Sequence, residues 1–320
     1  MPVIFDIDLA FLSAMCSFVL HTPSYLISAS KVFIGLHPPR EETVKLPIKS
    51  LKRLIGSRKA LAVPVTYLIL FGSLIALISV TYGFAITRIS AKEALLKASV
   101  ARQNMQALDD AVHAVAWSPG ASKTVYMEDC GYPFQTQPKA KNLVLNLTDN
   151  GSFSLMVFNG SVGKALYTLE GLPENQQGLF VRGDGRAIIS RNAYTITQLY
   201  YARGGNAQQL VLCYRPLATA LAADTSNSKP FNIIRLYIIS LNSSEALTLY
   251  GSFHLKISTL NTTSTVTRFE FNSSVSSLAL QALSEDAKTT VWLPIESTAD
   301  GAIVSLEILT CHIEIRRVNA

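Results

Sequence analysis

LAVPVTYLILFGSLIALISVTYGFAIT, residues 61–87, carries no charged side chain over 27 consecutive positions. About 20 apolar residues are enough for an α-helix to cross the hydrocarbon layer of a bilayer, so the stretch predicts one membrane-spanning helix with a little to spare. It also accounts for the composition. Apolar residues make up 49% of the 320-residue chain and charged residues only 16%. That balance excludes a disordered or fibrous chain, and it is too apolar for an ordinary soluble enzyme of this length. Four cysteines are too few for a disulfide-rich scaffold or an array of zinc fingers.

The distribution of charge orients the span. Of the 28 Lys/Arg, eight fall in residues 1–60 against four Asp/Glu, leaving 20 against 18 beyond the span. Seven of those eight lie between 40 and 59, whereas only Arg88, Lys92, Lys97 and Arg102 follow the span closely. Lys/Arg-rich flanks stay in the cytoplasm, so the expected topology is single-pass, N-terminus inside and C-terminal portion outside. The formal +6 charge is therefore a topology signal, and no nucleic-acid partner is expected. Asn-X-Ser/Thr acceptors at Asn146, Asn150, Asn159, Asn242, Asn261 and Asn272 all follow the span, as in a surface glycoprotein. Three cysteines lie on the same side. Cys130 and Cys213 are the preferred disulfide in an exterior domain, with Cys311 left as a buried thiol.

Residues 1–60 read as a leader or basic cytoplasmic segment. The apolar run Leu9–Leu20 within it is too short to span. It follows Asp6 and Asp8 where a signal peptide carries positive charge, so residues 1–40 are read as lying upstream of the true translation start. Residues 88–118 continue the membrane helix, since no Gly or Pro interrupts 86–117. The two would form one rod of about 55 residues, roughly 80 Å long at 1.5 Å per residue. Its apolar stripe includes Ile89, Leu96, Val100, Leu108 and Val112. That face packs either on the chain's own exterior domain or on further copies of the helix. Ser118-Pro119-Gly120 ends it.

Residues 121–320 show short alternating strands between turn residues. Leu143, Leu145 and Leu147 alternate before the hairpin signal Asp149-Asn150-Gly151. Phe231–Leu241 is apolar on both faces, as in a covered central strand. Ala302–Val318 changes the parity of its apolar residues near Ile308–Leu309, which predicts a β-bulge there. Ser276–Ser284 reads as a short helix. The expected fold class is α+β: a long transmembrane and amphipathic helix followed by an all-β, sandwich-like extracytoplasmic domain.

At Arg58-Lys59-Ala60-Leu61-Ala62-Val63-Pro64-Val65 the chain resembles archaeal type IV pilin-like proteins, whose class III signal places Lys/Arg and a small residue before an apolar helix. The resemblance covers residues 58–117 by motif. It implies cleavage by a prepilin-type peptidase at Lys59, Ala60 and Leu61, with Leu61 as the first mature residue. It also implies a helix that continues as a rod bearing a β-rich head, and association with pilin-like subunits in the bilayer.

Catalytic signals are absent. No HExxH or G-x-S-x-G occurs. His113, His254 and His312 have no second ligand at metal spacing, so no metal or cofactor is expected. Gly160-Ser161-Val162-Gly163-Lys164 lacks the first glycine and the Ser/Thr of a phosphate loop and reads as a hairpin turn. Asp109-Asp110 reads as a solvated helix face. Arg182-Gly183-Asp184-Gly185 contains the triplet that some adhesins display, in a sequence that a tight turn also favours. The leading expectation is a non-catalytic, membrane-anchored surface protein with a structural or assembly role. The alternatives are a monomeric anchored binding or adhesion module and, last, a surface enzyme.

Overall fold

The computed structural model describes residues 58–318 apart from 150, 152, 171–177, 191–194, 206, 227–228 and 286, with side chains described from residue 64 onward and not for 224–226. Residues 1–57 of the leader, with Leu9–Leu20, lie outside the described residues, as does Asn150. The chain divides into two units, the first ending at Ala76 and the second beginning at Leu77.

One helix, α1, runs unbroken over Arg58–Val115. Its apolar window holds no buried residue, which makes it a candidate membrane span by length and composition. Three hydroxyls within that stretch are satisfied by the helix itself. Ser73, Thr81 and Thr87 donate their hydroxyls to the carbonyls of Leu70, Leu77 and Phe84 at 2.8, 2.8 and 2.9 Å. Side chains bonded back to their own helix expose no unpaired donor to hydrocarbon. The helix ends at Val115. Trp117 and Gly120 take left-handed backbones (φ +67° and +81°), and Thr259 Oγ1 donates to the Val115 carbonyl at 2.7 Å, satisfying one of the orphan acceptors.

Fifteen strands follow among the described residues: β1 (Ser122–Met127), β2 (Phe134–Gln137), β3 (Asn142–Thr148), β4 (Ser154–Ser161) and β5 (Lys164–Leu169). Next come β6 (Phe180–Arg182), β7 (Thr197–Gly204), β8 (Ala207–Tyr214), β9 (Leu217–Ser226) and β10 (Lys229–Ser240). The last are β11 (Thr248–Leu249), β12 (Phe253–Phe271), β13 (Ser277–Ser284), β14 (Ala287–Pro294) and β15 (Ala302–Arg317). They form three sheets, in the orders β1-β12-β15-β10-β9, β11-β2-β5-β8-β7-β6 and β14-β13-β3-β4. The β10–β15 pair is parallel.

Two apolar cores result. The first joins Met105, Leu108 and Val112 of α1 to Phe134, Tyr167, Leu210 and Leu212 of the six-stranded sheet. Leu255, Ile257, Ile313 and Ile315 of the five-stranded sheet complete it. The second joins Leu145, Leu147, Leu278 and Leu280 of the four-stranded sheet to Ile234, Leu236, Val304 and Leu306. The five-stranded sheet thus serves both cores, which explains the parity change in β15. Even residues Val304 and Leu306 face the second core, and odd residues Cys311, Ile313 and Ile315 face the first. No bulge is needed, and β15 keeps its register with β10 through Ile308–Leu309. β10 makes the same change, from Ile238 to Ile239. The bulge lies instead in β12, between Thr259 and Asn261. That insertion turns the odd residues Phe269 and Phe271 toward the second core, although Leu255 and Ile257 face the first.

Two further expectations are corrected. Ser277–Ser284 is strand β13, paired between β3 and β14. Its Leu278, Leu280 and Ala282 are buried with a period of two, which overrides helical propensity. Residues 160–164 form no hairpin, because β4 belongs to the four-stranded sheet and β5 to the six-stranded one. Gly163 makes that passage with φ +71°, and a Cβ there would stand 2.9 Å from the Leu241 carbonyl carbon.

Candidate functional site

The helix face singled out above divides in two. Ile89 and Leu96 are 63% and 69% exposed, and neighbouring Leu95 is 53% exposed. Val100 packs against the first core, and Leu108 and Val112 are fully buried in it. Burial of a large apolar side chain is worth about 1.5–3 kcal/mol. Met105, Leu108, Val112 and Val115 together therefore fix the last turns of α1 as part of the β domain's own core. Only the turns nearest the apolar span leave an apolar face uncovered. Lys97 begins the docking: its side chain lies over Gly131, and its ammonium pairs with Glu93 at 2.7 Å.

Asp109 is not on a solvated face. It falls on the buried stripe, four residues after Met105 and three before Val112, and its side chain is 1% exposed. Arg182 Nη1 reaches Asp109 Oδ2 at 2.6 Å and Asp110 Oδ1 at 2.7 Å. Thr197 Oγ1 and Tyr214 Oη donate to Asp109 Oδ1 at 2.8 and 3.1 Å. His113 Nε2 lies 2.8 Å from Thr197 Oγ1 and 3.4 Å from Asp109 Oδ1. Since the Thr197 hydroxyl donates to Asp109, His113 Nε2 is the donor to Thr197. Burial on its own would raise the Asp109 carboxyl, but hydrogen bonds from His113, Arg182 and Thr197 outweigh it and hold the group below its usual range. The bond to Asp109 raises His113 above 6.5 against the opposing effect of burial.

These directions set a pH window for stability. The raised His113 contributes fully below its unfolded value of 6.5 and loses that contribution as pH rises through its folded value. The lowered Asp109 contributes above 3.8 and loses it as pH falls. The melting temperature of the β domain is therefore expected to be highest between these values and to decline on the alkaline side. His113→Gln should flatten the alkaline decline, as read by a thermal melt at stepped pH. An unchanged profile in that variant would dismiss His113 as its source.

The Arg182-Gly183-Asp184 triplet is used inside the fold. Arg182 holds the acids of α1. Asp184 accepts from the guanidinium of Arg215, whose side chain is 1% exposed and whose Nε and Nη2 also donate to the Thr195 carbonyl at 3.1 and 2.8 Å. Both charges of the triplet are paired within the chain.

A second buried polar group was not legible in advance. Lys141 precedes β3 with φ +59°, a left-handed backbone that costs a non-glycine residue about 1–3 kcal/mol. Its ammonium donates to Gln198 Oε1 at 2.6 Å and contacts Cys213 Sγ at 2.7 Å. Lys141, Gln198, Tyr200 and Phe180 line an open cavity of about 550 Å³ on the six-stranded sheet.

The expected disulfide is not formed. Cys130, Cys213 and Cys311 are separate buried thiols. Cys130 Sγ bonds the Tyr132 carbonyl, Cys213 meets Lys141, and Cys311 accepts from the Trp117 amide. Cys130 lies in the first core while Cys213 stands on β8 outside it, so the two thiols are held by different partners. The acceptors Asn159, Asn242, Asn261 and Asn272 are exposed, and Asn146 is half-buried on β3. Lys59, Ala60 and Leu61 lie in the first turn of α1. Among the described residues no three His, Cys, Asp or Glu side chains are grouped to hold a metal.

No family model, curated protein or solved structure matches the chain.

Proposed function

We propose that this is a single-pass, membrane-anchored surface protein of the archaeal type IV pilin-like kind, with a structural and assembly role and no catalysis. Its N-terminus is cytoplasmic. A prepilin-type peptidase cuts after Ala60, and a sandwich-like head, glycosylated at its Asn-X-Ser/Thr positions, stands outside. The observation that carries the reading is a single helix covered by its own domain from Ala98 onward but left apolar and exposed at Ile89, Leu95 and Leu96. Those side chains lie beyond the uncharged span, where water rather than lipid would otherwise meet them, so a neighbouring helix is their natural cover.

Pro64 supports the cleavage position. Within the helix from Arg58, its ring would crowd the Ala60 carbonyl and leave it without a donor, at about 3 kcal/mol. In a mature chain beginning at Leu61, Pro64 is the fourth residue. The first four amides of a helix have no partner in any case, so the proline then removes no hydrogen bond and meets no preceding carbonyl.

The deciding measurement is the N-terminus of the protein from its native membrane, by intact mass. A chain starting at Leu61 supports pilin-like export, whereas one retaining Lys45–Lys59 reduces the protein to an ordinary anchor. A monomeric binding module would then lead, favoured by the aromatic-lined cavity beside Tyr200. Assembly has its own test. Leu95→Glu with Leu96→Glu is expected to abolish self-association in membranes while shifting head stability by no more than about 0.5 kcal/mol per site. Chemical cross-linking that captures the same oligomers in the variant would count against the assembly face. Val100 does not suit that experiment, because it packs on the head.

A further inference from the structure

We propose that Lys141 and Cys213 form a covalent cross-link site, in which the amine and the thiol are joined through one oxygen atom as an Nζ–O–Sγ bridge. Nζ and Sγ stand 2.7 Å apart. That is the range of bonds between nitrogen and oxygen, although sulfur is the larger atom, and it is close to the span of two single bonds meeting at one oxygen. The groups are held there from several sides. The Lys141 amide donates to Glu285 Oε1 at 3.1 Å, and the Lys141 carbonyl accepts from Val162 N at 3.1 Å. These bonds fix the left-handed backbone that aims the side chain at β8. Gln198 Nε2 donates to the carbonyls of Asp184 and Arg186 at 2.9 and 3.0 Å. Its Oε1 must therefore face the pair, where it accepts from Nζ and, at 3.7 Å, from the thiol. Among the described residues neither partner of the ammonium is a carboxylate.

The oxidant is molecular oxygen, small enough to enter through the open cavity that Lys141 and Gln198 line. The ammonium first gives a proton to solvent; one S–H bond and one N–H bond of the resulting amine then break, as does the O–O bond. N–O and O–S bonds form with one oxygen atom, and the second oxygen leaves as water with the two hydrogens. Nitrogen and sulfur are oxidised and oxygen is reduced; two equivalents of a dithiol return the amine and the thiol, with the bridging oxygen leaving as water. Lys141 leads into the four-stranded sheet and Cys213 lies in the six-stranded one. The bridge would tie the two sheets across 72 residues of sequence and restrict the unfolded chain as a disulfide does.

The test uses the full-length chain, purified in detergent under reductant without oxygen and then held in air-saturated buffer. Intact mass is expected to gain one oxygen and lose two hydrogens. Peptide mapping should join the Lys141 and Cys213 peptides, dithiothreitol should restore the starting mass, and the bridged form should melt at a higher temperature. Lys141→Arg should abolish the change, and Cys311→Ser should leave it intact. An unchanged mass would overturn the proposal. So would oxygen gained without joined peptides, loss of two hydrogens without oxygen, or a bridge that disappears in Cys311→Ser.

Discussion

Arg182→Met is expected to destabilise the β domain by about 2–4 kcal/mol. Removing one partner of a buried ion pair costs about 3–5 kcal/mol, because the remaining charge stays in a poorly solvating interior. Two features of this site lower the figure. The Arg182 side chain is 35% exposed, and Thr197 and Tyr214 continue to donate to Asp109 Oδ1 after Arg182 is gone. The Asp109 side chain is only 1% exposed in the native fold, so little water is at hand to replace the lost cation. Asp109→Asn alone should cost less, about 1–2 kcal/mol, since Arg182 keeps Asp110 and solvent. Combining the two changes should recover at least about 1 kcal/mol relative to their sum, within the range of coupled neighbours. Urea unfolding of the detergent-solubilised chain, followed by near-ultraviolet circular dichroism, gives all three values. Simple additivity would show that the pair does not hold α1 to the six-stranded sheet.

Gly183→Ala should be at least as damaging, at about 3 kcal/mol or more. Gly183 has φ +79°, and a Cβ there would overlap the Thr197 carbonyl oxygen. The left-handed backbone alone costs an alanine about 1–2 kcal/mol. The overlap adds a further cost of about 1–3 kcal/mol, because the obstructing atom is backbone of β7 rather than the end of a flexible side chain. Gly205 provides the control. It too has a left-handed backbone, φ +64°, but a Cβ there meets nothing within 4 Å. Gly205→Ala should therefore show the conformational cost without the overlap. Equal losses of melting temperature in the two variants would remove the steric argument. A larger loss at Gly183 would place the added cost in the close approach of its backbone to Thr197 of β7.

The site was partly legible. Asp109 falls at the spacing of Met105 and Val112, and a charge on an apolar stripe is a visible sign of a buried polar contact. Its partner Arg182 lies 73 positions away, beyond any local pattern. Lys141 and Cys213 gave no such sign, since a lysine before a strand ordinarily reads as solvated. The parity change in β15 was visible, yet its cause was not. One strand read alone suggests a bulge, because a reader assumes a single core. The assumption fails where a sheet is buried on opposite faces at its two ends.

The sequence by itself determined what depends on short-range chemistry. An uncharged run of 27 residues, with no breaker for the thirty that follow, specifies a continuous helix, because backbone hydrogen bonding and propensity act within a few residues. Lys/Arg counts on its two sides, together with Arg58-Lys59-Ala60, likewise supply local grounds for the orientation and processing proposed above. Alternating leucines and turn residues announced a β domain for the same reason. Tertiary structure alone decided which strands share a sheet and that β10 and β15 run parallel. It also decided that the helix spends Leu108 and Val112 on its own domain while Ile89 and Leu96 remain uncovered. Those outcomes depend on which distant apolar faces meet once the chain closes, and burial is a property of the assembled domain rather than of any segment within it.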